Sequence, residues 1–87
     1  MKEINLNFSL KGLDNVEVPE ANAGKMLAQV LSADNGKNPM KFYSWAKELY
    51  AGTPLKLDPQ DIELLKTFVT DTVQLNALQK AQILEKI

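Results

Sequence analysis

A chain of 87 residues with no cysteine and no histidine must hold itself together by packing alone. Neither disulfides nor a transition-metal centre can staple it, because thiols and imidazoles supply most ligands for zinc and its neighbours. At this size folding buries only roughly 60% of the surface that the unfolded chain exposes, so most apolar side chains must reach one core. Apolar residues make up 45% of the chain, ordinary for a globular domain and too many for a disordered one. Self-association would be a ready way to bury more.

The same absences narrow the chemistry. Histidine is the usual acid and base near neutral pH, and cysteine is the readiest nucleophile. Arginine, the preferred bidentate reader of phosphate and guanine, is missing as well. What remains is carboxylates, ten lysines, hydroxyls, two tyrosines and one tryptophan. Net charge is −1, with acids and lysines interspersed, and no run of like charge predicts a nucleic-acid arm or an anionic-lipid patch. Unbroken apolar stretches reach only two or three residues, so no membrane span is predicted. The opening Met1-Lys2-Glu3-Ile4-Asn5 lacks the apolar run of a signal peptide, and a cytoplasmic location is the expectation.

From Ile4 to Leu10 the chain alternates strictly, with Ile4, Leu6, Phe8 and Leu10 apolar and Asn5, Asn7 and Ser9 polar. A period of two predicts a half-buried strand. Turn formers gather at Lys11-Gly12-Leu13-Asp14-Asn15, and Val16-Glu17-Val18 alternates again up to Pro19. The pattern predicts a β-hairpin over about 3–18, its short second strand closed by the proline. A lone hairpin is barely stable, so its apolar face needs helices against it.

The first helix is predicted from about Ala21 or Ala23 to Ala33, with Met26, Leu27, Val30 and Leu31 drawing one apolar stripe. Asp34-Asn35-Gly36 is its stop signal. The second helix opens with Asn38 as N-cap and Pro39 at the first position, and closes at Ala51-Gly52. Phe42, Trp45, Ala46, Leu49 and Tyr50 are expected on its inner face, with Tyr43 at the margin. Thr53-Pro54-Leu55-Lys56-Leu57 reads as an extended connector or a short third strand. The third helix begins at Asp58-Pro59, with Asp61 in the first turn and Leu57 placed to staple onto Ile62. Ile62, Leu65, Phe68 and Val69 form its buried stripe. β-Branched residues weaken the region around 70–75. Asn76 followed by Gln79 resembles a capping box for a last helix over 77–86, and a single helix running through is the alternative. The fold class is therefore α+β: one domain, an N-terminal β-hairpin packed on three to four short α-helices.

Several segments invite a chemical reading and have a plainer one. Gly24-Lys25 suggests a phosphate loop, but that loop needs a glycine where Pro19 stands and a Ser or Thr after the lysine. Asp34-Asn35-Gly36-Lys37-Asn38 is rich in oxygen ligands, yet the EF-hand carboxylate position is occupied by Trp45. Asp58, Asp61 and Glu63 cluster as paired acids do in acid/base catalysis, but a helix start wants negative charge there anyway. No catalytic residue, no metal site and no cofactor is predicted, and the chain is read as a non-enzyme. Lys41-Phe42-Tyr43-Ser44-Trp45-Ala46-Lys47 interleaves bases with aromatics as single-strand binders do. Without arginine or net positive charge, the electrostatic term that drives nucleic-acid affinity is lacking.

The aromatic arc from Trp45 round to Tyr43 spans about 160° of the helix, more than one packing partner needs. Trp and Tyr are the residues most enriched at interface hot spots. Tyr43, Trp45, Tyr50, Lys41 and Lys47 are accordingly the candidate interaction surface, beside the plainer reading that Trp45 packs beneath the hairpin. Ile4, Leu6, Phe8 and Leu10 mark a second candidate, an edge strand able to pair with another chain.

Three stretches carry a resemblance: Ile4-Asn5-Leu6-Asn7-Phe8, the run from Asn22 to Ala28, and Lys41 through Gly52. Leu57 through Lys66 and Lys80 through Glu85 fit it too. Together they resemble the small proteins of about this length encoded by tailed bacteriophages and prophages. The resemblance covers nearly the whole chain and implies a bacterial cytoplasm and a viral or mobile-element origin. The expected function is a non-enzymatic interaction protein that binds a host or phage protein or self-assembles into a homo-oligomer. One alternative is an oligomer that sequesters a nucleotide-like small molecule, held by Lys25, Lys41 or Lys47 and stacked on Tyr43, Tyr50 or Trp45. Another is a nucleic-acid-binding regulator.

Overall fold

A computed structural model describes residues 1–33 and 38–87. Four short strands and four helices follow one another as β1 (Lys2–Ile4), β2 (Ser9–Lys11), β3 (Glu17–Asn22), α1 (Ala23–Ser32), α2 (Pro39–Tyr50), β4 (Leu55–Leu57), α3 (Pro59–Asp71) and α4 (Ala77–Lys86). The fold is α+β, with an N-terminal hairpin and four helices around one core.

The alternating segment Ile4–Leu10 is not one strand. The Asn5 side chain accepts the Asn7 N–H at 2.9 Å, and the Leu6 carbonyl accepts the Phe8 N–H at 2.9 Å. These two tight local bonds turn the backbone out of extended geometry between Asn5 and Phe8. The halves go to different sheets. β1 pairs antiparallel with β4, Lys2 opposite Leu57 and Ile4 opposite Leu55, while β2 forms the hairpin with β3. The asparagines that alternation assigns to a polar strand face are thus turn formers. Ile4, Leu6 and Leu10 are nonetheless buried and Phe8 is partly so, as the period of two requires.

The second hairpin strand also runs further than Pro19 allows at first sight. β3 continues to Asn22, with Glu17 opposite Lys11 and Asn22 opposite Ser9. The register shifts between those pairs, so β3 has more residues than β2 there, and Pro19 falls where no ladder N–H is required. The strand then passes directly into α1. The Ala23 and Gly24 amides donate to the Phe8 and Leu6 carbonyls at 2.8 and 2.9 Å, and the Lys25 amide donates to the Asn22 side chain at 3.0 Å. Three of the four donors that a helix start leaves open are satisfied in this way.

Cap chemistry sets the other helix ends. Asp58 accepts the Asp61 amide at 2.8 Å with Pro59 in the first turn of α3. Asn38 occupies the N-cap of α2, but its side chain makes no capping bond, leaving Pro39 as the start signal. The predicted stop at Asp34-Asn35-Gly36 lies outside the described residues. Thr72 is extended and ends α3, and a capping box between Asn76 and Gln79 starts α4, so the two helices are separate. The Lys80 ammonium donates to the Thr70 carbonyl at 2.8 Å and so supplies a cation to the end of α3.

The core gathers side chains from every helix and from both sheets. Leu27, Leu31, Leu65, Val69 and Ile83 are fully buried, as are Leu55 and Leu57 of β4. Trp45 is 7% exposed, and Phe42 packs between it and Phe68, tilted against the first and edge-on to the second, with centroids 5.5 and 5.0 Å away. The predicted inner face of α2 is corrected at one residue, since Tyr50 is 57% exposed. It sits about 90° round the helix from the centre of the buried group, beyond the reach of the core.

Candidate functional site

The buried face of α2 is Phe42, Trp45, Ala46 and Leu49. About 130° round the same helix lies a second stripe, Met40, Tyr43, Lys47 and Tyr50. Its spacing of three, four and three residues keeps these side chains in one line along the surface. All four are exposed, Met40 at 76%, Tyr43 at 55% and Tyr50 at 57%. Apolar side chains of this size in one row are what a folded chain ordinarily hides.

Tyr43, Lys47 and Tyr50 of this stripe form one wall of a groove of about 480 Å³ between α1 and α2, and Met40 continues the row beyond it. Ala28 and Ala46 form its floor; both are buried and too small to fill it. Gln29 and Ser32 of α1 make the opposite wall, and Ala51 closes the end. The start of α1 lies beside the end of α2, since the Lys25 ammonium sits 5.5 Å from the centroid of the Tyr50 ring. The Lys47 ammonium sits 5.2 Å from the Tyr43 centroid, one turn away on the same helix. Each tyrosine therefore carries a cation against its ring face, an arrangement that stiffens both rings at modest energy, about 0.5–1 kcal/mol each at an exposed site. Among the described residues no carboxylate lines the groove. Among the described residues neither lysine has an ion-pair partner.

The sequence candidates separate here. Tyr43, Tyr50 and Lys47 come together, with Lys25 beside them. Trp45 does not join them: it is a core residue, and only its edge reaches a different hollow beside Glu48, Pro54 and Lys56. Lys41 also leaves the group, because it projects from the other side of α2 and binds Asp61 of α3 at 2.7 Å. Met40, Ala28, Gln29 and Ser32 were not singled out by sequence; the second stripe on α2 is the signal that could have found Met40.

The edge-strand candidate is corrected. Ile4, Leu6 and Leu10 point into the core, and the backbone that carries them is split between two sheets. At Lys11 the outer edge of β2 is already occupied, by the side chain of Gln82. No continuous strand edge runs from Ile4 to Leu10.

The remaining segments have structural roles. At Gly24-Lys25 the helix-start amides are bonded within the chain, so they do not cradle a phosphate. Asp58 is a cap and Asp61 an ion-pair partner. Among the described residues no group of three His, Cys, Asp or Glu is placed to hold a metal, and no helix is long and apolar enough to cross a membrane. No protein-family model matches the chain, and no curated protein or solved structure matches it either.

Proposed function

We propose that this chain is a non-enzymatic, phage-encoded interaction protein of the bacterial cytoplasm, and that it binds a protein partner through the α1–α2 groove. One observation carries the reading: Tyr43 and Tyr50 stand exposed on the rim of an apolar groove, in line with Met40 and braced by Lys47 and Lys25. Rigid tyrosines around a small-residue floor offer large contact area at low entropic cost, which is the composition of interface hot spots. The origin rests on the residue-level resemblance alone.

The test is affinity capture from bacterial lysate on the immobilised chain and on a Tyr43→Ala/Tyr50→Ala double variant. A stoichiometric protein retained by the first and lost by the second supports the reading. Equal retention by both places the binding surface elsewhere and overturns it.

A second reading has one observation in its favour. The groove volume falls in the range of small-molecule sites, and its tyrosines and Lys47 could take a planar anion. In that case the melting temperature should rise with nucleotide-like ligands, and a flat response across a broad panel removes this reading.

A further inference from the structure

We infer that the occupant of the α1–α2 groove is an acidic amphipathic helix of another protein, about three turns long. The inference rests on the reading of this groove as a protein-binding face and names the chemistry of the partner. Its first support is shape. The exposed row from Met40 to Tyr50 runs about 15 Å along α2, its stretch from Tyr43 to Tyr50 walls the groove, and the neighbouring wall is also helical. Two adjacent helices with alanines between them leave a trough into which the ridge of a third helix fits, at the close approach that small side chains permit. A row spaced three, four and three residues is the seam that a partner helix reads with anchors at i, i+3 or i+4, and i+7.

The second support is charge. Lys47 in the wall and Lys25 beside Tyr50 each stand against a tyrosine ring, and among the described residues no acid lines the groove. Glu48, the acid of α2, belongs to the hollow on the other side of the helix. A partner carrying carboxylates beside its apolar stripe meets Lys25 near Tyr50 and Lys47 near Tyr43. A basic partner meets only repulsion.

Charge also argues against a second copy of this chain. Self-pairing across the groove would bring four lysines into one seam with no acid from its described lining. The other helices do not offer the complement either. The exposed positions of α3 are Pro59, Gln60, Glu63, Thr67, Thr70 and Asp71, which supply carboxylates but no apolar anchors. Those of α4 supply only alanines beside Glu85 and Lys86.

The experiment is selection of a display library of helix-forming peptides, about four turns long, on the immobilised full chain. The winners are then titrated by fluorescence anisotropy against three proteins. These are the native chain, a Lys25→Glu/Lys47→Glu variant, and Gln29→Trp, which fills the groove from an exposed position. Circular dichroism checks that both variants keep native helicity. Enriched peptides should carry apolar residues at helical spacing with Asp or Glu beside them. The charge reversal should weaken their binding by about tenfold, and re-selection on that variant should turn to basic peptides. Gln29→Trp should remove binding by both kinds. Enrichment of basic or strand-forming sequences, no enrichment at all, or binding indifferent to Gln29→Trp would overturn the inference. So would a dimer of the free chain that Gln29→Trp dissolves, because the occupant would then be a second copy. A lysate partner lost with Tyr43 and Tyr50, combined with basic library winners, refutes the acidic helix while leaving the binding face in place.

Discussion

The side-chain amide of Gln82 closes on both backbone groups of Lys11, accepting its N–H at 2.7 Å through Oε1 and donating to its carbonyl at 2.7 Å through Nε2. A primary amide holds an N–H donor and a carbonyl acceptor side by side in one plane, as a neighbouring strand would at that position. Gln82 thus stands in for a strand against the outer edge of β2, where an open ladder would otherwise invite pairing with another chain. The same contact ties α4, distant in sequence, to the hairpin.

Removing that amide should loosen the connection without emptying the core. Gln82→Ala breaks two good hydrogen bonds, but the Lys11 groups are exposed and can turn to water. The expected loss is about 1 kcal/mol, read as a lower urea midpoint with an unchanged slope. Hydrogen exchange at the Lys11 amide should accelerate more than at core amides. An unchanged Lys11 exchange rate would mean that the bracket contributes nothing.

Gly24 should resist a substitution that ordinarily stabilises helices. Alanine is favoured over glycine in a helix by about 1 kcal/mol. A Cβ at Gly24, however, would lie 3.1 Å from both the Leu6 and the Leu49 carbonyl oxygens. Both are backbone atoms held by other contacts, so the helix start would have to move off Leu6. Gly24→Ala is expected to destabilise by about 1–2 kcal/mol in thermal or urea unfolding. At Gly12 the nearest atom is the Asp14 carboxylate at 3.0 Å, a side chain free to rotate, and Gly12→Ala should stay within about 0.5 kcal/mol. Similar losses at both positions would remove the close approach as the reason for glycine at Gly24.

These two contacts show where sequence reading succeeds and where it stops. Helix starts at Ala23, Pro59 and Ala77 are written in side chains within three residues of the cap, and periodicity within one helix marks Leu27, Leu65 and Val69 as core. Such signals are local, so they survive in one dimension. The pairing of β1 with β4 joins residues some fifty positions apart, and nothing in Lys2-Glu3-Ile4 names Leu55-Lys56-Leu57 as its partner. Alternation across Ile4–Leu10 reports burial, which is correct, but it cannot report the Asn5 and Leu6 turns that redirect the chain. At the candidate site, the aromatic arc was legible. Its division into a buried Trp45 and exposed tyrosines depends on where α1 and α3 press against α2, and that is a tertiary fact.

The break between α3 and α4 rests on reciprocal bonds. The Asn76 side chain accepts the Gln79 amide at 2.9 Å, and the Gln79 side chain accepts the Asn76 amide at 3.0 Å. Asn76→Ala removes one of them directly and should cost about 1 kcal/mol, with faster exchange across the first turn of α4. Far-ultraviolet circular dichroism distinguishes two responses. Fraying of α4 lowers helicity, whereas a rise would mean that α3 had propagated through Thr72 and fused with α4, so that the break depends on Asn76 alone.

Trp45 and the two tyrosines occupy one helix and should behave as different kinds of residue. Trp45 is packed against Phe42 in the core, and Trp45→Ala should cost about 3–5 kcal/mol, much of the stability expected of a domain this size. Tyr43→Ala and Tyr50→Ala each forfeit an exposed ring contact with a lysine and should shift stability by less than about 1 kcal/mol. Trp45 is the sole tryptophan, so its fluorescence reports the core without a label. Its emission should be blue-shifted and resistant to acrylamide in the native chain, and should remain so in both tyrosine variants. Any loss of partner binding in those variants then belongs to the groove and not to unfolding. If either tyrosine variant instead exposes Trp45 to quencher, that ring supports the core, and its place on a binding face is refuted.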